Sequence, residues 1–197
     1  MPGATTRSER SAATRRTLVD VAVRLFAERG YDGTSIEAVL AETGMSRGSL
    51  YHHFAGKPAL FEAALYAVEE RIGAETAAAA TAATTAVEAL RLGSLAWVRL
   101  AGDPVVQRIV LIDAPAVLGW QRWREIEEEH ALGSVRLILQ QASDDGRLDP
   151  GLVDSFAHIV LATMNELALL VARADDQAAA RRTAEEAIDA YLGRLFG

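Results

Sequence analysis

The stretch TSIEAVLAETGMSRGSLYHHFAGKPALFEAAL, Thr34 to Leu65, decides the fold of this chain. It divides into a short helix, a tight turn, a second short helix, and a longer helix opening at Lys57 and Pro58. Thr34 reads as an N-cap, and Glu37 three residues on completes a capping box. Ile36, Val39 and Leu40 give the first helix an inward face. Gly44 stands where the chain turns sharply, so a positive φ is expected there. Met45 fills the small core beneath the turn. Ser46 caps the second helix, and Leu50 and Phe54, four apart, point back into the domain. Tyr51, His52 and His53 are left facing outward. Pro58 falls in the first turn of the next helix, where a missing N–H costs nothing.

This is a helix-turn-helix, the device that sets one helix into the DNA major groove. Arg47, Gly48 and Ser49 occupy the first turn of that helix, where side chains and backbone N–H groups reach DNA. The wording is more specific than the motif alone. From about Thr14 to Leu65, and most tightly at SRGSLYHHFAGK, the chain resembles the N-terminal DNA-binding domain of the tetracycline-repressor (TetR) family of bacterial transcription regulators. Leu40 and Thr43 depart from it, since the family prefers alanine at both places. They lie in the supporting helix, so they bear on packing and not on the DNA face. The resemblance implies DNA contacts from Thr34, Ser35, Ser46, Arg47, Gly48, Ser49, Tyr51, His52, His53 and Lys57, with Lys57 anchoring a phosphate. It also implies double-stranded DNA with an inverted-repeat operator as partner.

The net charge of −7 is unusual for a DNA binder, but it is unevenly placed. Residues 1–57 hold 8 Lys/Arg and 6 Asp/Glu (8 − 6 = +2), and residues 58–197 hold 12 and 21 (12 − 21 = −9). Arg7, Arg10, Arg15 and Arg16 load the basic charge at the front. Local charge sets the field that a phosphate backbone meets. Cysteine is absent, which excludes disulfides and thiolate metal sites and is compatible with a reducing cytoplasm, the expected location. No apolar run of the ~20 residues needed to span a membrane is read, and no signal peptide.

The chain punctuates into about nine helices with no strand alternation, so the class is all-α. Residues 1–10 are expected to be disordered. An amphipathic helix runs from Ser11 to Arg29 and ends at Gly30. Past the helix that opens at Lys57 lies an alanine-threonine run, Thr76 to Ala86. Further helices are expected over Val87–Leu100, Val105–Ile112 (broken by Pro115), Gly119–Ala142, Pro150–Ala174 and Gln177–Phe196. Residues 1–56 make the DNA-reading head and 57–197 the effector and dimerisation body.

The helix from Pro150 is apolar on nearly all sides, so it must be covered on both. One reading is a monomeric bundle. The other, favoured by the resemblance, is a homodimer whose last two helices pair with their copies. Its seam would contain Leu152, Phe156, Ile159, Thr163, Leu167, Ala184, Ile188 and Tyr191.

All three tryptophans lie in the body. Trp97, Trp120 and Trp123, with Val110, Leu111 and Met164, are the expected lining of an apolar cavity. Asp113, His158 and Asn165 would supply its polar contacts, and the occupant would be a hydrophobic or aromatic small molecule. The acidic run Glu125–Glu129 reads as a solvated face. His52 and His53, being adjacent, point about 100° apart on a helix and cannot easily share a metal ion. No metal and no cofactor are expected. An enzyme lacks a motif here: there is no phosphate loop and no serine elbow. An architectural DNA binder without a ligand is the other rival. The favoured function is a ligand-released transcriptional repressor.

Overall fold

The computed structural model describes residues 7–196, and every regular element among them is helical. Nine helices follow one another. They are α1 (Arg7–Gly33), α2 (Ile36–Thr43), α3 (Arg47–His53), α4 (Lys57–Ala80), α5 (Ala86–Leu100), α6 (104–118), α7 (120–144), α8 (Val153–Arg173, entered through a 3-10 turn at Pro150–Leu152) and α9 (Gln177–Phe196). The expected disorder of residues 1–10 is corrected for 7–10, which are helical; residues 1–6 lie outside the described residues.

Gly30 puts a sharp joint in α1, with φ 72° and ψ 174°. A Cβ there would be strained by the positive φ and would displace the Arg108 guanidinium, 1.8 Å from it. The inward face of α1, Leu18, Ala22, Leu25 and Phe26, is fully buried against α2, α3 and α4. Two aromatic contacts close this core, Phe26 on Phe61 at 5.1 Å and Tyr31 on Phe61 at 5.1 Å.

Two helices, α1 and α6, are longer than the sequence analysis expected. Pro115 does not break α6. The turn widens to π-helix over Gln107–Asp113, and Ala114 N–H reaches back five residues to the Ile109 carbonyl. The helix stops at Gly119, φ 82°. A second π segment, Glu128–Leu132, interrupts α7. Such segments often mark functional places in a helix; the first of these carries Asp113 and the second His130. The alanine-threonine run is split: α4 continues to Ala80, and α5 begins after an N-cap at Thr85 whose Oγ accepts the Glu88 N–H at 3.1 Å.

By length and composition the 150–173 helix would suffice to cross a membrane, contrary to the sequence reading, but half of it is buried within the protein. Its inner face (Ala157, Val160, Met164, Ala168, Val171) packs on α5, α7 and α9. Its outer face is a different matter: Leu152, Ile159 and Leu170 are 44%, 47% and 57% exposed.

Candidate nucleic-acid interface and effector cavity

The head is built by two caps and a turn. Ser35, not Thr34, caps α2: its Oγ accepts the Ala38 N–H at 3.1 Å. Thr34 is 1% exposed, and its hydroxyl donates to the carbonyls of Leu25 (3.0 Å) and Gly30 (2.9 Å). Its assignment as a DNA contact is therefore corrected, because a buried hydroxyl holding α1 to α2 cannot reach a phosphate. The capping box is not formed either, since the Glu37 carboxylate pairs with Arg47. Gly44 takes the left-handed turn at φ 66°, and Ser46 Oγ accepts the Ser49 N–H at 3.1 Å to start α3.

Leu50 and Phe54 anchor α3 inward. Ser35, Ser46, Arg47, Gly48, Tyr51 and His52 are exposed, while Ser49 and His53 are half-buried. On α3 the exposed residues are Arg47, Gly48, Tyr51 and His52, set over the buried Leu50 and Phe54. His52 and His53 stack edge to face at 5.1 Å. Among the described residues no cluster of three or more His, Asp or Glu side chains is placed to hold a metal ion. Arg15 adds a guanidinium over the Phe54 ring at 5.3 Å. The Lys57 ammonium stands over the Tyr31 ring at 4.1 Å, a cation–π contact between the start of α4 and the end of α1.

The body holds a cavity of about 440 Å³ walled by α4, α5, α7 and α8. Of the expected lining, Trp97, Met164 and Asn165 are there. Val110, Leu111, Asp113, Trp120, Trp123 and His158 are not, and each has another place. Val110 and Leu111 are fully buried in the core beneath α1. Asp113 accepts the Tyr31 backbone N–H at 2.7 Å and pairs with Arg108 at 3.2 Å. Trp123 is 1% exposed in the core, with Trp120 on its outer side at 4.7 Å and 62% exposed. His158 stands 3.8 Å from Glu128 on the surface. The two tryptophans share a helix side, as their spacing requires, but neither lines the cavity.

Three titratable residues that the sequence analysis did not assign to the cavity line it: Glu69, Glu127 and His130. Glu69 follows Val68 inside the apolar stripe Leu65, Val68, Ile72, and that position was its only signal. Glu127 is 4% exposed, so the acidic run is not one solvated face. Its Oε2 accepts Asn165 Nδ2–H at 2.7 Å and lies 3.7 Å from Arg124. The Glu69 Oε1, Trp97 Nε1 and His130 Nε2 atoms are buried without a hydrogen-bond partner. Burial pushes the Glu69 carboxyl up to about 7. Burial, with the Glu69 charge adding to it, pushes Glu127 up to about 9. The π segment of α7 is what brings His130 inward, against the Tyr66 ring at 5.1 Å.

On the outer face of α8 and the turn before it, Leu152, Phe156, Ile159, Thr163 and Leu167 align with Leu170 at steps of three or four residues. Ala184 and Ile188 are instead 4% and 0% exposed inside their own protomer, which removes them from the expected seam. Tyr191 is half-buried at the edge.

Two family descriptions match the sequence: "Bacterial regulatory proteins, tetR family" over residues 18–64, and "Tetracyclin repressor-like, C-terminal domain" over 87–195. The HTH-type transcriptional repressor Rv1474c of Mycobacterium tuberculosis is 46% identical over 63 residues, which cover 32% of this chain and 34% of that protein. The chain thus matches about a third of that relative's length. The crystal structure of a TetR-family transcriptional regulator from Pectobacterium atrosepticum has a TM-score of 0.84 and 29% identity, covering 98% of both chains. FadR from Bacillus subtilis, solved in complex with stearoyl-CoA, shares the fold at a TM-score of 0.68 and 20% identity, covering 88% of this chain and 96% of its own.

Proposed function

Because this chain belongs to the TetR family of DNA-binding transcription regulators, and is not an enzyme, we propose that it is a homodimeric repressor released from an inverted-repeat operator by a small hydrophobic or aromatic molecule. The observation that carries this reading is the course of α4. Its first residue, Lys57, sits on Tyr31 of the head. Three turns later the same helix supplies Glu69, Ile72, Gly73 and Thr76 to the cavity wall. A ligand that moves this wall moves the seat of the head.

The outward patch of Arg47, Tyr51, His52 and His53 is the part that reads the groove, and Ser35, Ser46 and Lys57 are placed to meet phosphates. The exposed stripe on α8 supports pairing with a second copy, since a long apolar face rarely stays in water. Two heads must meet successive major-groove faces ~34–36 Å apart, so a small rotation of each head ends simultaneous contact. The reciprocal follows: operator DNA weakens the effector by the factor by which the effector weakens DNA. The stearoyl-CoA in complex with FadR supports an effector with a long apolar chain in this architecture.

The test is fluorescence anisotropy on a labelled operator isolated by selection. Arg47→Ala and Tyr51→Ala are each expected to cost ~1–3 kcal/mol of binding. Wild-type affinity in both variants would remove α3 from the interface.

A further inference from the structure

The cavity contains an imbalance that the general effector reading leaves unused. Its walls are apolar, with Ile72, Leu90, Ile138, Val160, Leu161 and Met164. Into them project two carboxyl groups, Glu69 and Glu127, which are 5% and 4% exposed. The protein serves only one of them. Glu127 has the Asn165 amide at 2.7 Å and the Arg124 guanidinium at 3.7 Å. Glu69 has no ion pair among the described residues, and its Oε1 has no hydrogen-bond partner. A buried polar oxygen without a partner is costly, and a buried carboxylate more so. An occupant of the cavity can supply the partner that the protein withholds.

Chemistry narrows the choice. A ligand carboxylate or phosphate would be repelled as soon as either acid ionises, and would hold both in their neutral form. A neutral hydroxyl satisfies one oxygen but leaves the paired acids unexploited. A positive charge on an apolar body suits both acids and walls. Trp97 lines the same space, and indole is the ring that attracts a cation best. We propose that the cavity receives a lipophilic cation, its charged centre seated beside Glu69 and facing Glu127, and its apolar body against α5, α7 and α8. This rests on the effector reading and names the class of the effector.

A consequence in pH follows. The groups around the charged centre are Glu69 on α4, Ser94 and Trp97 on α5, Glu127 and His130 on α7, and Asn165 on α8. Arg124 is shared between Glu127 and Glu128, and His158 faces Glu128. In the empty cavity Glu69 holds its proton up to about pH 7. A cation pairs with the ionised form, so binding expels that proton and tightens as pH rises.

The experiment is a tryptophan-fluorescence titration of the full chain with dodecyltrimethylammonium, dodecanol and dodecanoate, each below its micelle concentration. The three share a tail and differ in charge, and the ammonium is permanently charged and does not titrate. The ammonium is expected to bind at least about tenfold tighter than the alcohol, with dodecanoate weakest. Its affinity should rise about tenfold from pH 6 to pH 8. Glu69→Gln, kept helical by circular dichroism, should lose that rise and about tenfold in affinity at pH 8. The wild-type pH profile stands as the test if that variant does not fold. A cation affinity that is flat or falling with pH, or dodecanoate binding as tightly as the ammonium, overturns the proposal. Dodecanol or dodecanoate binding without the ammonium overturns the cation class and leaves the effector reading standing. If none of the three binds, both fall.

Discussion

The Tyr31 backbone N–H donates to Asp113 Oδ2 at 2.7 Å, across 82 residues of sequence. The same oxygen takes the Arg108 Nε–H at 3.2 Å, and the Arg108 guanidinium lies against Gly30, where the joint in α1 has φ 72°. The π segment of α6 sets Asp113 in this position. Tyr31 also carries the Lys57 ammonium on its ring, so one residue ties the end of α1 to both α4 and α6. Head and body are thus joined by a charge-assisted hydrogen bond and a cation–π contact, which are short, directional links that a shift of α4 or α6 would break.

Asp113→Ala removes this link and leaves the Tyr31 N–H without its acceptor. The expected cost is ~1.5–3 kcal/mol in urea unfolding, with the helix content unchanged. Gly30→Ala should also destabilise, because the new Cβ meets both a positive φ and the Arg108 guanidinium. Wild-type stability in both variants would show that the link contributes nothing.

The seam can be separated from the core by choice of residue. Ile159→Asp and Leu170→Asp change side chains that are 47% and 57% exposed in the protomer. Light scattering should give monomers of the 21.1 kDa chain that are still helical. Ile188→Asp places a charge at a site with 0% exposure and should unfold the protomer, at a cost above ~4 kcal/mol. Dissociation without unfolding in Ile188→Asp, or intact dimers in the other two, would contradict this arrangement.

Stability should depend on pH through the two cavity acids. Glu69 is pushed from 4.5 up to about 7 and Glu127 from 4.5 up to about 9, both chiefly by burial. The folded protein therefore keeps protons that the unfolded chain releases. That stabilisation is complete below the unfolded value and is lost as pH rises through 7 toward 9. For Glu69 alone it is on the order of 3 kcal/mol. The unfolding free energy should fall from pH 5 to pH 9 by urea titration, and the Glu69→Gln, Glu127→Gln double variant should flatten the curve. An identical slope in wild type and double variant would rule this cause out.

The sequence was legible where the signal was local. Gly44, Ser46 and Pro58 announce a turn, a cap and a helix start, because the backbone at each place demands that residue. It was ambiguous where two neighbours offered the same chemistry. Thr34 and Ser35 both carry a hydroxyl, and the carbonyls of Leu25 and Gly30 decide that Thr34 turns inward. Pro115 looked like a break because only the wider π turn before it lets the helix pass. The cavity was the least legible part. A tryptophan declares burial or contact but not which space it faces, and Trp123 and Trp97 took different ones. Glu69 gave the better signal, a charge within an apolar stripe, and Glu127 was masked by its exposed acidic neighbours.

The central claim is that two copies of this head grip DNA together. Repeated selection of wild-type protein on random-sequence duplexes tests it most directly. The expected result is one short half-site present twice in inverted orientation at fixed spacing, with centres about one helical turn or a multiple of it apart. Leu170→Asp should select the same half-site singly and more weakly. Enriched sequences without a dyad, or no enrichment over the starting pool, would contradict the account.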